Sequence, residues 1–153
     1  FWDDRTLAVH GVQASGEDLA VLARRGVTLV TCPRSNAWVG AGTPPIGAFY
    51  RSGARVAIGT DSLTSVADLN LFNELVALRR MAPGVRPADL LRSATLSGAE
   101  ALGFGETHGA ITPGRRAALI AVEVPPGTSD VEEYLVSGIE PGKVRWIAQS
   151  PPC

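Results

Sequence analysis

The 153-residue sequence predicts an α/β protein built on a parallel sheet. Three observations predict it. Short apolar runs alternate with amphipathic stretches along the first hundred residues, the order of a βα repeat. The apolar runs "LAV", "VTLV" and "RVAI" lack strict polar alternation, so both of their faces are covered, as in parallel sheets. A weak internal repeat also recurs: helix–Arg–Arg–Gly26–strand, then helix–Arg–Ser–Gly53–strand. Consecutive βα units produce this pattern; a barrel and a doubly wound sheet both fit it.

Taken in order, "RTLAVHG" is the first strand, closed by His10 and Gly11. "SGEDLAVLARRG" is a helix: Ser15 is a cap, Asp18 stands three residues on in capping-box position, Leu19, Leu22 and Ala23 form the apolar face, and Gly26 ends it. "VTLVTCP" is the second strand, stopped by Pro33. "RSNAWVGAGTPP" reads as a loop, and "PIGAFYRSG" as a short helix ending on Gly53. "ARVAIGTD" is the third strand. "ADLNLFNELVALRRM" is a longer helix with Asp68 as its expected cap, Pro87 and Asp89 open the next, and Thr95 to Gly103 make a third. After Gly105 the texture changes. "GAITPGRRAALIAVEVP" reads as two strands around Pro113–Gly114, and a last strand is expected to end near Ile147 after a turn at Pro141–Gly142. A boundary near residue 105 divides the chain into residues 1–104 and a β-rich segment, 105–153.

Composition narrows the function. Hydrophobic residues make up 45%, charged residues 19%, and the net charge is −1, a globular balance that asks for no nucleic-acid or membrane partner. Two cysteines, Cys32 and Cys153, make neither a disulfide framework nor a zinc knuckle, which points to unpaired thiols and a cytoplasmic protein. The chain opens at Phe1 almost directly on a core strand, and its single methionine is Met81, which suggests a fragment of a longer protein.

Chemistry-bearing residues gather at strand ends: His10 after the first, Arg34, Ser35 and Asn36 after the second, Thr60, Asp61 and Ser62 after the third. In parallel α/β folds the C-terminal strand ends form the active face. Each residue also has a plainer role open to it. Asp61 could cap the next helix, His10 could be a packing residue, Ser35 and Asn36 could make local turns. Cys32 reads as a small buried hydrophobe. Trp38 could be a stacking wall for a substrate or a loop side chain folded onto the rim.

Together, "LAVHG", "VTCPRSNAWVGAGTPPIGAFYRSGARVAIGTDSLTS", "LNLFNEL" and "ATLSGAEALGF…GAITPGRRAALIAV" resemble the C-terminal half of the amidohydrolase superfamily, over residues 5 to 124. The closest look is to its hydrolytic deaminases, of the adenosylhomocysteine/methylthioadenosine, aminodeoxyfutalosine and guanine/cytosine types. The resemblance implies strands six to eight of a (β/α)8 TIM-like barrel, followed by the C-terminal share of a small β-sandwich. It implies that Asp61 is a ligand of one divalent metal, zinc first and iron second, and shuttles protons, while His10 stabilises the oxygen being added. Such a metal acidifies its bound water to a pKa of about 7. Ser35, Asn36, Trp38 and Ser62 would line the pocket of a small-molecule substrate. The implied reaction is deamination of a purine-nucleoside-like or other heteroaromatic amine. Chlorohydrolase, imidazolonepropionase-like and cyclic-amide hydrolase reactions remain open, as does a non-catalytic binding module; the full-length protein could be a homo-oligomer.

Two departures stand out. Ala118 replaces the aspartate of the family's closing motif. The His-x-His pair, the strand-five histidine and its neighbouring glutamate are absent, and His108 lies in the wrong region to replace them. Most metal ligands would therefore lie outside this chain, and the chain alone is expected to be inactive.

Overall fold

A computed structural model of the chain describes residues 2–148. Three short strands, β1 (Leu7–Val9), β2 (Thr28–Thr31) and β3 (Arg55–Ile58), form a parallel sheet in the order β1-β2-β3. Thr28 pairs with Leu7 on one side and Arg55 on the other. Helix α1 (Gly16–Arg24) joins β1 to β2; α2 (Pro33–Trp38) and α3 (Ile46–Arg51) lie between β2 and β3. Three further helices follow, α4 (Leu71–Met81), α5 (Pro87–Ala94) and α6 (Leu96–Ala101). Then come β4 (Leu119–Val122), α7 (Val131–Val136) and β5 (Val144–Ala148), with β4 and β5 pairing antiparallel.

Local chemistry explains most of these elements. Ser15 and Asp18 form the expected reciprocal box: the Asp18 N–H donates to Ser15 Oγ at 3.2 Å, and the Ser15 N–H to Asp18 Oδ2 at 2.9 Å. Gly26 and Gly53 take φ values of 71° and 80°, the left-handed turn that returns each helix to the next strand. The core lies on one face of the sheet, where Ala8, Leu29, Val56 and Ile58 meet the helices, and Leu29, Ile46, Phe49, Leu78 and Leu90 are fully buried in it. Leu7 and Val9, on the other face of β1, are exposed, so the expectation that both faces of every strand are covered fails for β1.

Three expectations about these elements need correction. The stretch read as a loop begins with a helix, α2, because Pro33 occupies its first position, where a missing N–H costs nothing. Asn70 rather than Asp68 caps α4, its side chain accepting from the Phe72 N–H; Asp68 is held by Arg34 and Asn73. Thr95 stands at the start of α6 as expected, although its hydroxyl donates back to the Leu91 carbonyl at 2.8 Å rather than into α6. Around Pro113–Gly114 only the second strand, β4, forms; residues 110–118 are turn and irregular chain. The final strand follows a 3-10 turn at Pro141–Lys143 and runs to Ala148. Helix α7 was not anticipated, although Asp130 caps it and Glu133 stands three residues on, a start signal present in the sequence.

Candidate active site

The carboxyl ends of β1, β2 and β3 bring His10, Ser35 and Asp61 together. The β1–β2 ladder continues one step past β1, where the His10 N–H donates to the Val30 carbonyl at 2.8 Å. The β2–β3 ladder ends where the Gly59 N–H donates to the Thr31 carbonyl at 3.0 Å. Asp61 follows two residues later. His10 and Asp61 then turn out of the sheet with φ of 70° and 65°, and among the described residues they are the two non-glycine side chains in this left-handed region. An L-residue there carries strain of order 1–2 kcal/mol, and such strain clusters where geometry serves function.

Ser35 is buried in α2, and its Oγ donates to Asp61 Oδ2 at 2.7 Å. It also lies 2.9 Å from Ser65 Oγ. His10 Nε2 stands 3.9 Å from the same Asp61 oxygen, with the two side chains 41% and 40% exposed. Asp61 thus faces open space on one side and is tied to α2 on the other. Among the described residues it accepts no backbone N–H and starts no helix, which is what a cap would do. His10 Nδ1 is buried with no hydrogen-bond partner, so His10 does not behave as a satisfied packing histidine.

The other sequence candidates are spread more widely. Asn36 is buried beside Ser35 and its Nδ2 has no partner. Ser62 is exposed and bonded to Thr64, and Trp38 is 71% exposed at the end of α2. His108 pairs locally with Thr107 and stacks edge-on against Phe104. Cys32 is a buried thiol pushed up to about 11, chiefly by burial and then by the charges of Asp61 and Glu74, so it stays protonated and is no nucleophile. Cys153, expected to be an unpaired thiol, lies outside the described residues. A polar cavity of about 550 Å³ lined by Tyr50, Arg55, Arg92 and Glu100 opens at the other end of β3, away from Asp61.

One part of the site had not been foreseen. Glu74 on α4 is fully buried, and its Oε2 accepts the Arg34 N–H at 3.1 Å. Arg34 also donates from Nη1 to Asp68 Oδ1 at 2.8 Å and from Nη2 to the Asp68 carbonyl at 3.0 Å. Burial pushes the Glu74 carboxyl up, with Arg34 opposing; hydrogen bonding from Arg34 holds that of Asp68 below its ordinary value. A signal was there to read: Glu74 falls on the apolar stripe Leu71, Leu75, Leu78, where a carboxylate has no ordinary reason to be.

Among the described residues no three His, Cys, Asp or Glu side chains converge as a metal site. A zinc ion takes about four ligands. The half-open carboxylate of Asp61, backed by a hydroxyl, suits one ligand of such a set but not the whole of it.

Comparison with known proteins carries the identification further. The model of the amidohydrolase family matches residues 1–144. This chain belongs to the amidohydrolase family. It is 35% identical over 126 residues to a 5-methylthioadenosine/S-adenosylhomocysteine deaminase of Teredinibacter turnerae, covering 78% of this chain and 28% of that protein. It is 40% identical over 99 residues to an aminodeoxyfutalosine deaminase of Deinococcus radiodurans, covering 65% of this chain and 24% of the relative. Its fold overlays a crystal structure of an adenosine deaminase from Xanthomonas campestris with bound zinc at a TM-score of 0.87 and 35% identity, covering 93% of this chain and 35% of that one. The chain therefore spans about a quarter to a third of the length of these relatives. Its relatives include deaminases and triazine hydrolases, zinc is bound in solved structures of such relatives, and the fold is the mixed α/β of TIM-barrel amidohydrolases. No described helix is long and apolar enough to cross a membrane.

Proposed function

We propose that this chain is the C-terminal part of a metal-dependent hydrolase that deaminates a purine-nucleoside-like or other heteroaromatic amine. The observation that carries the reading is the Ser35–Asp61–His10 cluster at the ends of parallel strands, with His10 and Asp61 in left-handed backbone and Ser35 on α2, in a chain whose relatives include deaminases. In this reading β1, β2 and β3 are barrel strands six, seven and eight. Residues 1–104 form the barrel part and 105–153 contribute to a sandwich. Asp61 is one ligand of a divalent metal, zinc before iron, and the other ligands come from chain outside these residues. When bound, that metal supplies an acidified water at neutral pH.

The residues of this chain have separate tasks. Asp61 takes the proton of the attacking water and hands it to the departing amine, so that water and the amine become the carbonyl product and ammonia. Ser35 fixes which oxygen faces inward. His10 donates to the oxygen that gains charge as the ring carbon becomes tetrahedral. Asn36, Trp38 and Ser62 border the space for a small-molecule substrate. The protein acts in the cytoplasm, as a homo-oligomer in its full-length form, without nucleic acid or membrane.

The test is to sequence the source DNA upstream of Phe1, express the extended protein, and measure its metal content and ammonia release from a panel of purine nucleosides. The expected result is one equivalent of metal and turnover, both lost in Asp61→Ala. Full metal and activity in Asp61→Ala would overturn the assignment.

A further inference from the structure

Glu74 is the one charged residue among the buried polar side chains described, with 0% exposure. A buried carboxylate is expensive and is usually matched by several partners. Here its partners come from a single residue of another helix. Oε2 accepts the Arg34 N–H at 3.1 Å, and Oε1 faces Arg34 Nε at 3.4 Å without a well-formed hydrogen bond. The Arg34 N–H belongs to the first turn of α2, where backbone donors have no partner within the helix. Cys32, at the cap position of α2, makes no side-chain cap bond. Glu74 thus caps α2 from outside, and the Arg34 guanidinium locks the same turn to Asp68. The next residue, Ser35, is the one whose Oγ grips Asp61.

We propose that Glu74 is a positioning residue for the hydrolytic reaction: its clamp on the Arg34 N–H fixes the first turn of α2 so that Ser35 holds the Asp61 carboxylate in its working orientation. This rests on the reading of Asp61 given above. The path runs Glu74, Arg34 backbone, Ser35 Oγ, Asp61 Oδ2, and each link is a contact of 3.1 Å or less or a peptide bond. Displacing a reacting group by about 1 Å can cost a hundredfold in rate, so a residue two contacts away has leverage over turnover.

The test uses the extended, zinc-loaded protein with Glu74→Met, which keeps volume and helix propensity but removes the acceptor. The expected result is a fall in kcat of about 10–100-fold with KM changed by less than about threefold. Glu74→Gln retains an acceptor oxygen and should restore most of the rate. In a Ser35→Ala background Glu74→Met should have little further effect, because the path is already cut; residues acting through one another do not add. Full multiplication of the two effects, or a change in KM alone, would overturn the proposal. Should Glu74→Met fail to fold, Glu74→Asp, which draws the carboxylate back by one methylene, enters the same cycle. A crystal structure of the variant separates this inference from the reaction itself. Loss of the Ser35–Asp61 hydrogen bond supports the positioning role even if the parent protein releases no ammonia, and an undisturbed bond refutes it.

Discussion

His10→Gly separates a catalytic imidazole from a packing one, because the two roles demand opposite stabilities. His10 sits at φ 70°, which costs a non-glycine residue about 1–2 kcal/mol. Glycine releases that strain but raises the entropy of the unfolded chain, a loss of about 0.4–1 kcal/mol. The imidazole is 41% exposed and its Nδ1 has no hydrogen-bond partner, so its removal sacrifices about 1 kcal/mol of apolar contact at most while freeing an unsatisfied polar atom. The bond from the His10 N–H to Val30 is made by backbone and survives. The net change in unfolding free energy should lie within about 1 kcal/mol of zero. His10→Ala, which must keep the strained backbone, should be less stable than His10→Gly by about 1 kcal/mol. Urea unfolding at equilibrium, at constant slope, measures both. Ammonia release should fall by about a hundredfold or more in each, the usual cost of losing an oxyanion donor. A loss above about 2 kcal/mol in His10→Gly, or His10→Ala as stable as glycine, would show that the ring is a core side chain and refute the reasoning.

Phe49→Ala, at a fully buried site in the core, should cost about 3–5 kcal/mol in the same assay. Gly109→Ala should destabilise clearly more than Gly114→Ala: both have positive φ, but a Cβ at 109 would lie 2.7 Å from the Leu96 backbone while that at 114 meets open space. With its thiol near 11, Cys32 should be alkylated at pH 8 about a hundredfold more slowly in the native protein than after unfolding, read by mass spectrometry of the Cys32 peptide. The Asp68 carboxyl is more acidic folded than unfolded, so its contribution to stability is complete above the ordinary carboxylate range and is lost as pH falls through the lowered value. Asp68→Asn should therefore flatten the acid limb of a plot of urea midpoint against pH.

What could be read from the sequence was what neighbours along the chain decide. The Ser15–Asp18 box and the glycine after α1 act within one turn, so the helix was legible from both ends. His10 and Asp61 could be placed at strand ends for the same reason. Their company could not: Ser35 reaches Asp61 across 26 positions, and nothing in "PRSNAW" says that its serine points there. The cap of α4 failed as a reading because two good candidates, Asp68 and Asn70, stand two residues apart and a distant arginine takes the first. Glycines and prolines from Gly40 onward disguised α2 as a loop. Glu74 was passed over because its helix was legible from its leucines alone.

The strand order β1-β2-β3 has a consequence for how the molecule is made. Thr28 pairs with Leu7 and Arg55 with Thr28, separations of 21 and 27 positions, with no later strand inserted between earlier ones. During vectorial synthesis each strand therefore emerges to find its template already made, at a modest loop-closure cost. The sheet grows by accretion at one growing edge, and the residues that meet at its rim arrive in the order imidazole, hydroxyl, carboxylate. Asp61 is the last of the three, and Ser65 and Glu74, which complete the surroundings of Ser35, follow it out only afterwards.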